Sequence, residues 1–344
     1  MQKYLGIDLG SSSIIVSKPS VGIISKEATI VAIKKEDNSL LAIGNEAERL
    51  FSHNKSGEVR IVRPLKDNII IKEYTQRLIS AAIRSELSGN EPISVLISVP
   101  CCLSEVEESA LREVASLAGA SETHLVYSPI AALAGSGVTL DRSSLTVNIG
   151  SARTDILLIC RGRIFHKSTL DVAGDDFDLA IANYINGKYG VRISLRTAEA
   201  IKINIGTVWL SSDRKYIDVK GRDVRTKEIR TVRVSSDEMF TALEEPTSAI
   251  VGAVCNAISK IPSDCVNEVF DKGIMLCGGG STLDGLDKMI GGITEVRTKL
   301  LPNPLEVVSL GLSKILDVMP TNLSKGAINV SREYLKNATI KGRI

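Results

Sequence analysis

The chain has 344 residues, 44% of them hydrophobic, and its 42 basic and 40 acidic side chains leave a formal net charge of +2. That length supports two domains, each with its own core, and that balance leaves no field for holding nucleic acid. No window gathers Lys and Arg among aromatics, so no nucleic-acid partner is expected.

The six cysteines (Cys101, Cys102, Cys160, Cys255, Cys265, Cys277) form no C-x-x-C pair, and His53, His124 and His166 are far apart. Reduced, buried thiols are expected, with no zinc site. No apolar run approaches the roughly 18 to 20 residues of a membrane span, and Met1 leads almost directly into a strand, so neither anchor nor signal peptide is expected. The expected location is the cytosol or the inner face of the membrane.

In chain order, "KYLGIDLG" and "SIIVSKP" are β-rich runs around Gly10-Ser11-Ser12-Ser13, a hairpin signal. "YTQRLISAAIRSEL" predicts a helix with Leu78, Ala81, Ala82 and Ser85 on one face, and "ISVLISVP" predicts a buried strand. "SEVEESALREVASLAGA" opens with Ser104 and Glu107 as a capping box and closes at Gly119. A strand, "HLVYS", and a helix through "PIAALAGSG" follow, and alternation of this kind means α/β.

The second half begins as the first did. "LGIDLGSSSIIV" (5–16) and "LTVNIGSARTDILLI" (145–159) share strand, Asp or Asn, apolar residue, Gly, small residues, strand, which suggests two similarly built lobes. A turn of glycines and serines points successive N–H groups into one concavity, and such a nest holds phosphate oxygens. By that logic Ser11, Ser12 and Ser13 serve one side of a polyphosphate, and Gly150, Ser151 and Ala152 the other. Asp8 would hold Mg²⁺ through its water shell. A plain strand turn uses the same residues, so both readings stay open here.

"GIMLCGGGSTLDGL" (273–286) is an apolar strand running into Gly278-Gly279-Gly280, with Ser281 and Thr282 at an expected helix start. "RTAEAIKINIG" predicts a helix with Glu199 and Lys202 on one face, able to reach the same ligand or simply to pair with each other.

Taken together these segments resemble the actin superfamily, and within it the MreB family of bacterial actins. "IDLGSSS", "IGNEAERL", "VRPLKDN", "SVPCCLSEVEESALREVASLAGA", "VAGDDFDLAIANYINGKYG", "RTAEAIKINIG", "ALEEPTSAIV" and "GIMLCGGGSTLDGL" resemble family segments in order, from about residue 4 to about 318. The resemblance implies an α/β actin-like ATPase fold of two ribonuclease-H-like lobes around a central nucleotide cleft. Lobe I would take 1–142 with a small subdomain inserted at 33–66, and lobe II 143–318 with one at 183–247. Residues 319–344 would return to lobe I and end in a basic tail. ATP or ADP with Mg would bind through Asp8, Ser11 to Ser13, Gly150 to Ala152, Glu199, Lys202 and Gly278 to Ser281. The resemblance also implies self-assembly into paired antiparallel protofilaments at the inner membrane, working with the cell-wall elongation machinery to maintain rod shape.

Two departures from the family pattern bear on catalysis. The family's second hairpin reads D-I-G-G-G-T-T, whereas this chain reads Asn148-Ile149-Gly150-Ser151-Ala152-Arg153-Thr154. The missing carboxylate takes a ligand from the metal's outer shell, and Arg153 either compensates at the phosphates or faces solvent. The family's Glu-Glu-Pro, whose second Glu positions the attacking water, is Tyr127-Ser128-Pro129 here. Ser128 cannot act as a base near neutral pH, which removes a term worth about 10²- to 10⁴-fold. The expectation is a filament protein that binds nucleotide and hydrolyses it slowly or not at all. The alternatives are a monomeric ATPase of the actin, chaperone and sugar-kinase superfamily, or a nucleotide-free paralogue that modulates other filaments. For membrane contact, the lobe I loop "SELSGNEP" is polar, while the tail carries Lys325, Arg332, Lys336, Lys341 and Arg343 against Glu333.

Overall fold

The structure, a computed structural model, describes residues 3–53, 57–66, 69–84, 91–138, 142–210, 212–318 and 331. The loop at 85–90 and the basic tail, Ser331 excepted, therefore lie outside the described residues, as does Ser85 of the expected helix face. The chain divides into two units. Unit 1 holds the residues up to Arg142, Ile159–Phe165 and those from Leu305 onward, and unit 2 holds Ser143–Leu158 and His166–Pro304.

Unit 1 begins with strands β1 (Lys3–Leu9), β2 (Ser13–Lys18) and β3 (Gly22–Ala28). A smaller piece follows: β4 (Val31–Lys34), β5 (Leu40–Ile43), α1 (Gly44–His53) and β6 (Val59–Val62), whose own sheet has the order β5-β4-β6 around Ala32, Ala42 and Ala47. After the short pair β7 (Leu65–Lys66) and β8 (Ile69–Ile70) come α2 (Lys72–Arg84), β9 (Ile93–Val99), α3 (Glu105–Leu117), β10 (Glu122–Tyr127) and α4 (Ser128–Ser136). The main sheet has the order β10-β9-β1-β2-β3. β9 is buried throughout, as a continuous apolar run between parallel neighbours requires.

The helix ends follow their sequence signals. Ser104 and Glu107 form the capping box of α3: the Glu107 N–H donates to Ser104 Oγ at 3.2 Å, and the Ser104 N–H donates to Glu107 Oε2 at 2.9 Å. The apolar face of α2 is Thr75, Leu78, Ile79, Ala82 and Ile83, which corrects the expected stripe, since Ala81 is exposed. The true stripe recurs at three and four residues and includes a buried threonine that a search for apolar residues alone passes over.

Unit 2 holds β11 (Ser144–Ile149), β12 (Thr154–Cys160) and β13 (Arg163–Leu170), the last two crossing the unit boundary at their turn, then α5 (Gly174–Tyr189), β14 (Val191–Arg192) and α6 (Leu195–Ile205). β15 (Tyr216–Asp223), β16 (Ile229–Ser235), α7 (Ser236–Ile258) and α8 (Val266–Lys272) follow. β17 (Ile274–Cys277), a 3₁₀ turn (Gly279–Thr282), α9 (Leu286–Thr294) and β18 (Thr298–Leu300) complete it. Its main sheet has the order β13-β12-β11-β17-β18, with β17 parallel to both neighbours, and β14-β15-β16 form a separate small sheet.

Helix α10 (Val307–Val318) belongs to unit 1, which moves the expected boundary at 318 back to residue 304. α10 packs against α4 and onto β1 and β2. The crossing with α4 is made by glycines: a Cβ on Gly311 would lie 1.7 Å from the Ala131 carbonyl oxygen, and one on Gly135 would lie 2.0 Å from that of Val307. Residues Ser128 to Ala134 of α4 are all buried, as expected of a helix apolar on every side.

Candidate functional site

The first hairpin, in unit 1, closes where Leu9 pairs with Ile14. The Gly10 N–H donates to the Ser13 carbonyl at 3.0 Å, and the Thr29 N–H donates to the Ser12 carbonyl at 2.9 Å, fixing the turn from outside. Ser12 is exposed, while Ser11 and Ser13 are half-buried. Asp8 stands in register with Ser98 of β9, whose hydroxyl donates to Asp8 Oδ1 at 2.6 Å. Burial pushes the Asp8 carboxyl up to about 6 despite that bond, although part of its surface is open.

A carboxylate so placed gains from a nearby cation. Among the described residues no group of three or more His, Cys, Asp or Glu is arranged to hold a metal. One carboxylate with oxygen donors around it suits Mg²⁺, which keeps several waters and takes phosphate oxygens for the rest. The residues present therefore fit a magnesium-bound polyphosphate at Asp8.

The second hairpin, in unit 2, closes in the same way, with the Gly150 N–H donating to the Arg153 carbonyl at 2.9 Å. The start of α5 lies against it: the Gly174 N–H donates to the Gly150 carbonyl at 3.1 Å, and the Asp175 N–H to the Ser151 carbonyl at 2.7 Å. Ser151 and Ala152 are half-buried in this turn. Asn148, in register with Cys277, accepts a weak bond from Cys277 Sγ at 3.5 Å. Arg153 Nε lies 3.4 Å from Asp171 Oδ1 with the side chain 19% exposed. The arginine is thus engaged by a carboxylate at the end of β13, which neither sequence reading anticipated.

The triple-glycine loop is pressed onto this hairpin. Gly278 has φ +84°, and a Cβ there would lie 2.2 Å from the Ile149 carbonyl oxygen and 2.7 Å from Asn148 Oδ1. Gly280 is similarly pinned by Ile149, whereas nothing lies within 4 Å of a Cβ built on Gly279. Two of the glycines therefore serve packing, and the middle one leaves the backbone open to a ligand. Ser281 is buried and its hydroxyl donates to the Gly278 carbonyl at 2.6 Å. The expected helix start is a 3₁₀ turn, with α9 beginning only at Leu286.

On α6, Lys202 Nζ donates to the Gly174 carbonyl at 3.1 Å and sits 2.8 Å from Asp178 Oδ1 of α5. Burial pushes the Asp178 carboxyl up to about 6, opposed by Lys202 and reinforced by the negative charges of Glu199 and Asp175. Lys202 therefore bridges α6 to the start of α5, not to Glu199. Asp178 escaped sequence reasoning; its signal was a third acid in the first turns of a helix facing a lysine on the next one.

Ser128 opens α4, and its hydroxyl donates to the Val99 carbonyl at 3.2 Å. Val99 follows Ser98, so Ser128 lies at the same sheet end as Asp8 with its hydroxyl spent on the main chain. Within unit 1 the structure thus groups Asp8, Ser11 to Ser13 and Ser128. Within unit 2 it groups Asn148, Gly150 to Ala152, Lys202 and Gly278 to Ser281, with Glu199 beside Asp178.

Known proteins carry the same plan. The family model described as "MreB/Mbl protein" matches residues 2–324. The chain is 33% identical to the cell shape-determining protein Mbl of Bacillus subtilis (strain 168), over 92% of this chain and 96% of the relative. It is 31% identical to the cell shape-determining protein MreB of Escherichia coli (strain K12), over 92% and 93%. Among solved structures, MreB5 of Spiroplasma citri bound to ADP superposes with a TM-score of 0.84 at 28% identity, over 90% of this chain and 95% of that one. The MamK double helical filament, 19% identical with a TM-score of 0.80 over 93% and 100%, shares the fold.

Proposed function

This chain belongs to the MreB/Mbl family, and from that premise we propose that it is an actin-like cytoskeletal protein that binds ATP or ADP with Mg and polymerises into filaments. Its filaments, as paired protofilaments at the inner face of the cell membrane, direct cell-wall synthesis and maintain rod shape. The observation that carries the nucleotide part is the matched closure of the two hairpins, Gly10 to Ser13 at 3.0 Å and Gly150 to Arg153 at 2.9 Å. Each turn closes a strand in its own unit and can offer main-chain N–H groups to phosphate. The relative from Spiroplasma citri, seen with ADP and with AMPPNP, supports the same reading.

In this reading lobe I is 1–142, with an insertion at 33–66, and lobe II is the expected 143–318, with an insertion at 183–247, cut back to residue 304 by the place of α10 in unit 1. Ser11, Ser12, Ser13, Gly150, Ser151 and Ala152 hold phosphates, Asp8 holds the water shell of Mg, and Glu199, Gly279 and their neighbours face the nucleoside. Lys202 and Ser281 serve as internal braces of that site. Magnesium, when bound, offsets the charge of the phosphates. Hydrolysis is slow or absent, because Ser128 is bonded to Val99 and Asn148 to Cys277, so neither supplies a base.

Sedimentation with and without Mg-ATP tests the assembly. Concentration-dependent pelleting is the expected result, and a protein that stays monomeric at all concentrations would be the superfamily's ATPase type instead. Calorimetry that found no uptake of ATP or ADP with magnesium would leave a nucleotide-free paralogue.

A further inference from the structure

The small sheet β14-β15-β16 of unit 2 has one buried face and one exposed face. Val191, Val219, Val232 and Val234 turn inward, where α5 lies against β14, α6 against β15 and α7 against β16. Side chains alternate along a strand, so the other face carries Arg192, then Tyr216, Asp218, Lys220 and Arg222, then Ile229 and Arg233, all exposed. Arg233 lies over the Tyr216 ring at 5.0 Å and stands opposite Asp218, which offsets its charge. The other cations have no such relief. Arg192 stands directly opposite Arg222, where like charges repel, and neither they nor Lys220 makes an ion pair among the described residues.

The turn between β15 and β16 continues the pattern. Asp223 Oδ1 accepts from the N–H groups of Arg225 and Thr226 at 2.9 and 3.1 Å, which fixes the turn and leaves Arg225 and Lys227 exposed between Val224 and Ile229. From Arg214 to Ser235 the chain has eight basic residues against three acidic ones, although its net charge is only +2.

We infer that this face and its turn form a contact for an anionic lipid surface, an inference that rests on the proposed place at the inner face of the membrane. The cations are spread in two dimensions, about 5 Å apart across the strands and about 7 Å along them. A single phosphate would meet two of them, whereas a field of headgroups meets all. The apolar neighbours decide between anionic partners: Ile229, in register with Arg222 and 68% exposed, and the Tyr216 ring both gain from the interfacial layer of a bilayer. Against the phosphates of a duplex an isoleucine gains nothing. Each cation close to an anionic leaflet strengthens binding about fivefold, so five of them bias the location of even a single subunit.

Flotation of the full chain with vesicles of phosphatidylcholine alone, or with phosphatidylglycerol added, tests this. Flotation is expected only with the anionic vesicles and is expected to weaken with added salt. Lys220→Gln with Arg222→Gln should weaken it on the order of thirtyfold, and Ile229→Ser several-fold, while Lys336→Gln with Lys341→Gln leaves most of it in place. Wild-type protein that floats with neither vesicle would remove the membrane from the proposed function altogether. Wild-type flotation that survives both sheet variants would remove only this face. Tighter binding to a duplex oligonucleotide than to the anionic vesicles would overturn the choice of partner. Loss of Mg-ATP-dependent pelleting in the Lys220 and Arg222 variant, with its thermal melt unchanged, would make the face a contact between copies and overturn the inference too.

Discussion

The two hairpins share a backbone and differ in their side chains. In the first, Asp8 is braced by Ser98 and the turn is all hydroxyls; in the second, Asn148 leans on a thiol, Arg153 is drawn to Asp171, and the turn carbonyls are held by the start of α5. One turn stands beside a carboxylate, and the other carries an amide with internal contacts in its place. Holding a phosphate needs only the main chain, whereas cleaving it needs carboxylates, so a difference of this kind bears on the proposed hydrolysis more than on the proposed binding.

The comparison breaks most severely if the shared backbone is removed. Gly278→Val forces a β-branched side chain into a left-handed conformation against Ile149 and should cost about 3 kcal/mol or more, read by urea unfolding. Lys202→Met leaves Asp178 buried beside two other acids and should cost about 2–3 kcal/mol at neutral pH, less below pH 6, where the carboxyl protonates. Restoring the two missing carboxylates sharpens the contrast: Asn148→Asp in the second hairpin with Ser128→Glu in unit 1 should raise phosphate release roughly tenfold or more, and an unchanged rate would remove both residues from the account.

The first hairpin makes a prediction of opposite sign. Because the folded Asp8 carboxyl titrates near 6, above its ordinary 3.8, its protonated form favours the fold below about pH 4, and that contribution is lost as pH rises through 6. Asp8→Asn should therefore stabilise the ligand-free protein by about 1 kcal/mol at pH 7.5 while weakening magnesium-dependent nucleotide binding about tenfold, checked by thermal melts and calorimetry. Smallest of all, Arg153→Ala should change stability by less than about 0.5 kcal/mol, since its ion pair with Asp171 is largely open on the acid's side.

Much of this was legible in the sequence because it rests on local rules. Alternation, the Ser104 capping box and the repeated hairpin each need only a few neighbouring residues to be specified. What escaped was long-range. Nothing in "VVSLGLSKILDV" says which half of the chain will receive it, and Gly135 and Gly311 explain the crossing only once they face each other. Arg153 and Lys202 looked like ligand-reaching cations because their partners, Asp171 and Asp178, lie on other elements. Ser331 looked like one polar residue in a tail, yet its side chain is buried.

The seat of α10 has a consequence for how the molecule is made. Ser313 donates to the Lys18 carbonyl at 2.5 Å and Lys26 pairs with Glu306 at 2.9 Å, so the earliest strands are completed by one of the last helices to be synthesised. During translation, unit 2 emerges almost as a continuous stretch and can settle as soon as it clears the ribosome. Unit 1 stays unfinished, its apolar floor exposed, until α10 has been made. A chain cut short before Val307 would therefore be felt first at the N-terminal sheet, far away in sequence from the lesion.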